Sequence, residues 1–153
     1  MKNRLLTFPI LLAALCCGCA SGPPHPEGRK SFSADNTAEV TGLLKHKPVE
    51  FSPDVCDKLV DSSLRLLATC GYFGKRTWPD FEKSPHLHFT FATPRRVKIQ
   101  ELEAPLQVQE MVVTLPLTSG VFWVRSGDAG LYLSKFDCAV CSELQSILKE
   151  AQR

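Results

Sequence analysis

Two cysteines near the C-terminus have the spacing of a chemically active motif. Cys138 and Cys141 form a Cys-x-x-Cys pair at the start of a predicted helix, and a helix start lowers the pKa of a thiol and favours the nucleophilic thiolate. Thioredoxin-like enzymes place such a pair after an early strand of a β-α-β unit, whereas here it opens the last helix. A c-type haem site is excluded because Ser142 stands where that motif requires histidine. The pair therefore gives little support for redox catalysis.

Two histidines add a second chemical option. His86 and His88 alternate with apolar residues, so both point to the same face of a predicted strand. Together with Cys138 and Cys141 they offer imidazole and thiolate ligands, which suit zinc or copper. The competing interpretation is that alternation alone turns two polar residues towards solvent.

Other catalytic motifs are missing from the sequence. There is no Gly-x-Ser-x-Gly motif, and no carboxylates are paired in an acid–base pattern. We therefore expect no catalytic site and no cofactor, and a metal- or thiol-handling protein is the alternative.

A helix over residues 53–70 is predicted upstream of these motifs. Ser52 is a suitable N-cap, Pro53 fits the first helical position, and Gly71 is a plausible C-cap. Residues 72–85, rich in glycine, proline and charge, are expected to form a loop.

From residue 86 the apolar period changes from helical to alternating. Strands are predicted over 86–91, 96–103, 108–115, 121–125 and 131–136, with a hairpin turn at 126–130, and a final helix over 138–152 follows the N-cap Asp137. This order predicts an α+β domain: an N-terminal helix, a four- to five-stranded antiparallel meander sheet and a C-terminal helix in a two-layer sandwich, with one sheet face in water.

The hairpin should supply core residues. Val121, Trp123, Leu131 and Leu133 are expected to include buried members. If Trp123 is not in the core, it becomes a candidate binding residue.

The N-terminus has the composition of an export signal. Lys2 and Arg4 precede an apolar run of about 11 residues, too short for the roughly 20 that a membrane-spanning helix needs.

The apolar run ends in Cys16-Cys17-Gly18-Cys19. This exit resembles the bacterial lipoprotein signal, in which a cysteine after a small residue is lipidated and the chain is cut just before it. The resemblance implies that Cys19 carries the lipid anchor, with acyl chains such as palmitate. Ordinary cleavage after Ala20 is the alternative.

The sequence therefore predicts a signal peptide over 1–18, a lipidated Cys19 with a flexible tether over 19–48, and a single domain over 49–153. The tether follows from the proline, glycine and serine content of residues 21–33. Ala20 after the cysteine implies the periplasmic face of the outer membrane, where the host has one. Without lipidation the protein would be exported and soluble.

Charge narrows the class of partner. Once Lys2 and Arg4 leave with the signal, sixteen basic and sixteen acidic residues remain, and this balance argues against nucleic acid. Short basic clusters at 45–47, 75–76 and 95–96 are expected to be solvated surface, with contact to anionic lipid or wall polymer as the alternative. The expected partners are the membrane, through the lipid anchor, and an envelope protein or polymer.

The remaining cysteines raise a problem of distance. An oxidising compartment favours disulfides among Cys56, Cys70, Cys138 and Cys141. On one continuous helix, however, Cys56 and Cys70 would lie about 21 Å apart, whereas a disulfide requires Cα atoms within about 7 Å. Either the first helix bends or ends before Cys70, or at most one interhelical bridge forms. We favour one bridge that joins Cys56 or Cys70 to Cys138 or Cys141.

Overall fold

The computed structural model describes residues 29–75, 78, 84–119, 121–126, 129–134 and 138–152. Within these residues, eight strands form one antiparallel sheet, and two α-helices pack against it. The strands are β1 (Ser31–Phe32), β2 (Ala38–Leu44), β3 (Lys47–Val49), β4 (Tyr72–Lys75), β5 (His86–Val97), β6 (Leu106–Thr114), β7 (Phe122–Ser126) and β8 (Ala129–Ser134), and the helices are α1 (Pro53–Ala68) and α2 (Cys138–Glu150). The predicted α+β class is confirmed.

The strand order across the sheet is β1-β2-β5-β6-β7-β8-β4, and β3 also pairs with β2. Strands β5 to β8 are consecutive neighbours, so the predicted meander is present as the centre of a larger sheet. The sheet has more strands than the expected four to five, and β4 forms its far edge. The domain also does not begin with a helix, because three strands precede α1. The Gly-Asp turn of the predicted hairpin, residues 127–128, lies outside the described residues, but Ser126 pairs with Ala129 on either side of it.

The three N-terminal strands correct the expected extent of the tether. They occupy residues 31–49, most of which the sequence pattern had assigned to a flexible linker. A hydrogen-bonded turn connects β1 to β2: the Asp35 carboxylate accepts bonds from the Thr37 amide at 3.0 Å and from the Ser33 hydroxyl at 2.8 Å. The polar composition of this stretch resembles that of a linker, but its side chains build the turn. A tether can therefore reach no further than residue 30.

Two other expectations were wrong in the middle of the chain. Residues 96–103 do not form a separate strand, because β5 continues to Val97 and then turns. The ladder between β5 and β6 is irregular between Thr90 and Arg95, where Pro94 cannot donate a backbone hydrogen bond. The expected loop over 72–85 begins with β4, which pairs with the distant β8.

The core lies between one face of the sheet and the two helices. Two register rows cross this inner face, one through Val40, Phe89, Met111, Val124 and Leu131, the other through Gly42, Leu87, Val113, Phe122 and Leu133. Apart from Gly42, the residues of both rows belong to one buried cluster, together with Leu59, Leu66 and Leu144 of the helices. The opposite face of the sheet is called the outer face below.

Glycine is required at position 42 because an aromatic ring approaches the backbone closely on the inner face. A Cβ atom at this position would lie 2.8 Å from the ring of Phe51, closer than carbon atoms normally pack. The Phe51 ring, 6% exposed, therefore occupies the space that a side chain on β2 would need.

The first helix ends two residues earlier than predicted. Its predicted start is confirmed, with Ser52 at the N-cap position in extended conformation and Pro53 in the first turn, but the Ser52 side chain makes no capping hydrogen bond. At the other end, the Thr69 hydroxyl donates to the Leu66 carbonyl at 2.7 Å, which competes with the helical backbone bond. Thr69 is thus the C-cap, and Cys70 lies beyond the helix. The cysteine spacing allows either a first helix that bends or ends before Cys70, or at most one interhelical bridge. The structure shows a helix that ends before Cys70.

Candidate functional site

The structure describes only some of the residues with predicted chemical roles. Cys19, the expected lipidation site, lies outside the described residues, and so does the side chain of Cys138. His86, His88, Cys56, Cys70 and Cys141 are described.

The histidines and Cys141 lie on opposite sides of the sheet. Leu87 and Phe89 point into the same buried cluster as Cys141, so His88, which alternates with them, is on the outer face. His86 Nδ1 lies 2.7 Å from the Ser84 carbonyl oxygen. No group of metal-ligating side chains is found among the described residues. The predicted site of two histidines and two cysteines is therefore not assembled by this part of the chain.

The thiols of Cys56 and Cys70 are buried and free, and no disulfide is formed between described cysteines. Burial raises the pKa of Cys56 to about 11, with a further contribution from the Asp57 charge. Burial also raises the pKa of Cys70 to about 12. Such thiols are inert towards oxidants and metals, because the reactive species is the thiolate. The predicted bridge between the helices is not formed in this structure. Which cysteines pair in an oxidising compartment stays a prediction.

The outer face carries a cluster of aromatic and charged side chains, which we call the outer-face cluster. Its members are Trp78, His88, Glu110, Trp123, Arg125 and Tyr132. The register creates it: one row across the sheet joins His88, Val112, Trp123 and Tyr132, and the adjacent row joins Thr90, Glu110 and Arg125.

The charged half of the cluster is centred on Glu110. One carboxylate oxygen accepts a hydrogen bond from His88 Nε2 at 2.8 Å, and the other lies 3.2 Å from the Arg125 guanidinium. The Glu110 side chain is only 19% exposed, whereas that of Arg125 is 44% exposed. The hydrogen bond from His88 and the cationic Arg125 compensate for the loss of water around the carboxylate. Glu110 thereby fixes the positions of both His88 and Arg125.

The aromatic half of the cluster is built by edge-to-face contacts. The Trp123 ring lies 5.2 Å from that of Tyr132 and 6.5 Å from that of Trp78, each at an interplanar angle of 72°. The Arg125 guanidinium carbon lies 4.7 Å from the centre of the Trp78 ring, a cation–π distance. Arg125 therefore connects the aromatic half to the charged half.

Part of this face is shielded from water. Val112, which lies between His88 and Trp123 in the row, is 1% exposed although it is outside the main buried cluster. The three aromatic side chains are each partly buried. The outer-face cluster is thus a small second packing layer with accessible edges.

His88 is the titratable group most affected by this setting. Burial lowers its pKa below 6.5, while the charge and hydrogen bond of Glu110 act in the opposite direction and only partly offset the effect. The neutral imidazole is therefore the form that the folded protein favours near pH 7.

The composition of the cluster is that of a binding surface. Tryptophan, tyrosine and arginine are the residue types that contribute most to binding free energy at interfaces, since each combines a large contact area with a hydrogen-bond donor. The Glu110 carboxylate is already paired on both oxygens. The cluster therefore offers anchoring groups for a partner rather than an acid–base pair.

Sequence reasoning located only part of this site. Alternation placed His88 on the wet face, and Trp123 was named as a binding candidate if it proved to be outside the core, which it is. Glu110, Arg125 and Tyr132 were missed because only the register of four strands brings them together. Trp78 was missed because it lies in a stretch that was read as loop.

Comparison of the chain with protein-family models, with curated proteins and with solved structures finds no match. Among the described residues, neither helix is both long enough and apolar enough to cross a membrane.

Proposed function

We propose that this protein is a lipid-anchored component of the cell envelope with a non-catalytic binding role, and that it holds an envelope protein or polymer through the outer-face cluster. The anchor is proposed from the export signal and from Cys19 after Gly18. The binding role rests chiefly on one observation: partly exposed Trp123, Tyr132 and Arg125 are held in fixed positions on the sheet face that the helices leave open.

The length of the tether supports a location close to the membrane. The first described strand begins at Ser31, so residues 19–30 lie between a lipidated Cys19 and that strand. Fully extended, this segment would span roughly 40 Å. The folded domain would therefore begin within that distance of the lipid surface, and its partner would lie no further away than this distance plus the size of the domain.

Preorganisation supports a binding role as well. A side chain that is already ordered loses less conformational entropy when a partner contacts it. Glu110 holds Arg125 by an ion pair, and the edge-to-face contacts restrain Trp123. The side chains of the cluster therefore lose less conformational entropy on binding than flexible surface side chains would.

The direct test is site-specific photo-crosslinking in the intact envelope. A photoreactive amino acid at Tyr132 of the full chain is expected to give a discrete adduct with one protein or with the wall polymer, and Arg125→Ala is expected to reduce its yield. The same amino acid at Glu101, an exposed position away from the cluster, is the matched control. Equal adducts from Tyr132 and Glu101, or an adduct unaffected by Arg125→Ala, would show that the cluster is not the binding surface.

A further inference from the structure

A cavity of about 300 Å³ lies at one end of the sheet, between the C-terminal half of α2, the turn that joins β2 to β3, and the segment after β6. None of its lining residues belongs to the outer-face cluster. It is thus a second candidate site, and it does not depend on the function proposed above.

The walls of the cavity are apolar. Leu44, Leu115, Leu117 and Leu148 line it, and of these Leu44, Leu117 and Leu148 are at most 6% exposed. The side chains come from β2, from the segment after β6 and from α2, which all pack into the main core. A cavity that is open to solvent on one side and floored by leucine side chains of the core favours a hydrocarbon ligand.

The rim of the cavity is cationic. Lys45 and Lys149 are among the lining residues, and none of the lining residues that the structure describes is acidic. Lys149 lies in the last turn of α2, where its charge also offsets the partial negative charge of the helix end. Lys45 has no such second role, so it is the cation best placed to receive an anionic group.

The hairpin turn places the backbone of Lys45 at the rim. Lys45 and His46 form the two-residue turn between β2 and β3, with φ angles of 49° and 63°. Two positive φ angles are what a tight hairpin turn requires, although Asn-Gly is the usual sequence there. The pairing of Leu44 with Lys47 fixes the turn. Lys45 directly follows Leu44, which is a wall residue of the cavity.

We infer that this cavity binds one free medium-chain fatty acid, with the hydrocarbon among the leucines and the carboxylate at Lys45. The volume argues for a single chain, because it is about twice the roughly 150 Å³ apolar cavity that holds one benzene ring, which corresponds to about a dozen carbon atoms. A phospholipid with two acyl chains is too large. The cationic rim selects a carboxylate over a neutral alcohol.

Isothermal titration calorimetry with octanoate, decanoate and decanol tests the inference. The Cys19→Ala chain that is released from membranes is suitable, since it carries no acyl chain on that residue and needs no detergent, and each ligand is kept below its micelle concentration or its solubility limit. Each added methylene should tighten binding by about fourfold while the cavity has room. Decanoate should bind up to about fivefold more tightly than decanol, as expected for an ion pair at a solvated rim.

Two pairs of matched variants locate the site. Lys45→Gln is expected to abolish the preference for decanoate over decanol, whereas Lys47→Gln, which removes the same charge from a residue outside the cavity lining, should preserve it. Gln145→Trp should weaken decanoate by at least roughly tenfold, because the indole ring takes the space of several methylenes. Ser146→Trp, on the exposed side of the same helix turn, should have no effect. Circular dichroism confirms that each variant is folded.

Three results would overturn the inference: equal affinity for decanoate and decanol in the parent, affinity that does not rise with chain length, or decanoate binding that survives Gln145→Trp. Binding only to phospholipid vesicles, with none to free decanoate, would likewise show that this end of the domain is a membrane contact and not a fatty-acid site.

Discussion

His88 and Glu110 lie on adjacent strands of the outer face and are joined by a 2.8 Å contact between Nε2 and a carboxylate oxygen. The two residues are diagonal neighbours, since His88 is opposite Val112 and Glu110 is opposite Thr90. Diagonal neighbours are within reach of long side chains. This pair links the imidazole predicted from the sequence to the charged half of the outer-face cluster.

Replacing Glu110 should change the titration of His88. Burial lowers the pKa of His88, and the Glu110 charge and hydrogen bond partly restore it, so Glu110→Gln should lower the pKa further. NMR titration of the His88 ring measures the change. Glu103→Gln, an exposed control, should leave the value where it is in the parent. A rise in the His88 pKa in Glu110→Gln would contradict the structure.

The same shift has a consequence for stability. The folded pKa of His88 is below its unfolded value of 6.5, so the folded state binds fewer protons there than the unfolded state. His88 therefore contributes stability above pH 6.5, and that contribution is lost as the pH falls through the folded pKa. The loss begins near pH 6.5 in both proteins, because the unfolded pKa is the same, and it should continue to lower pH in Glu110→Gln, whose folded pKa is lower.

Trp123→Ala should destabilise the protein by less than a core substitution. Removal of a fully buried tryptophan costs about 3–5 kcal/mol, whereas Trp123 is partly buried on the outer face, so we expect about 1.5–3 kcal/mol. Urea denaturation measures the difference in free energy of unfolding. Thr90→Ala, an exposed residue of the same face, is the control. A cost near 5 kcal/mol would show that the ring belongs to the main core.

The buried thiols should react slowly in the folded protein. With the pKa of Cys56 at about 11 and that of Cys70 at about 12, almost no thiolate exists at pH 8. Iodoacetamide should therefore label both residues in urea but neither under native conditions, as read by mass spectrometry of peptides. Rapid native labelling would contradict their burial. A linked peptide in the non-reduced exported protein would instead identify the disulfide that the oxidising compartment favours.

The lipid anchor is tested by Cys19→Ala. The variant should be released from membranes or accumulate as an uncut precursor, because the lipidated cysteine is both the cleavage signal and the attachment point. Membrane fractionation followed by intact-mass analysis distinguishes the two. Cys17→Ala is the matched control and should be processed like the parent. Normal processing together with membrane association in Cys19→Ala would rule out the anchor.

Local patterns predicted the elements that depend on local residues. The start of α1 follows from Ser52 and Pro53, and the meander follows from alternation such as Leu87, Phe89 and Phe91. Register, in contrast, is decided by pairing between distant strands, so the row that joins His88 to Trp123 could not be derived from either strand alone. The N-terminal strands were missed because β1 and β3 are very short and the polar turn between β1 and β2 resembles linker.

The cavity shows the same limit. Leu44 and Leu148 are each ordinary apolar residues in their own segments, and the space between them exists only after β2, the segment following Thr114 and α2 have packed. The basic character of residues 45–47 was visible in the sequence. Its position at the rim of an apolar space was not.

The pairing of β4 with β8 sets the order in which the chain can fold. Tyr72 is opposite Ser134 and Lys75 is opposite Leu131, so the strand that follows α1 has no described neighbour until the last strand has been made. Contacts of such large sequence separation slow folding, because the intervening chain must first be organised. Until β8 has formed, β4 would present open backbone groups of the kind that recruit other chains. Completion of the sheet is therefore a late event, and it depends on the C-terminal hairpin.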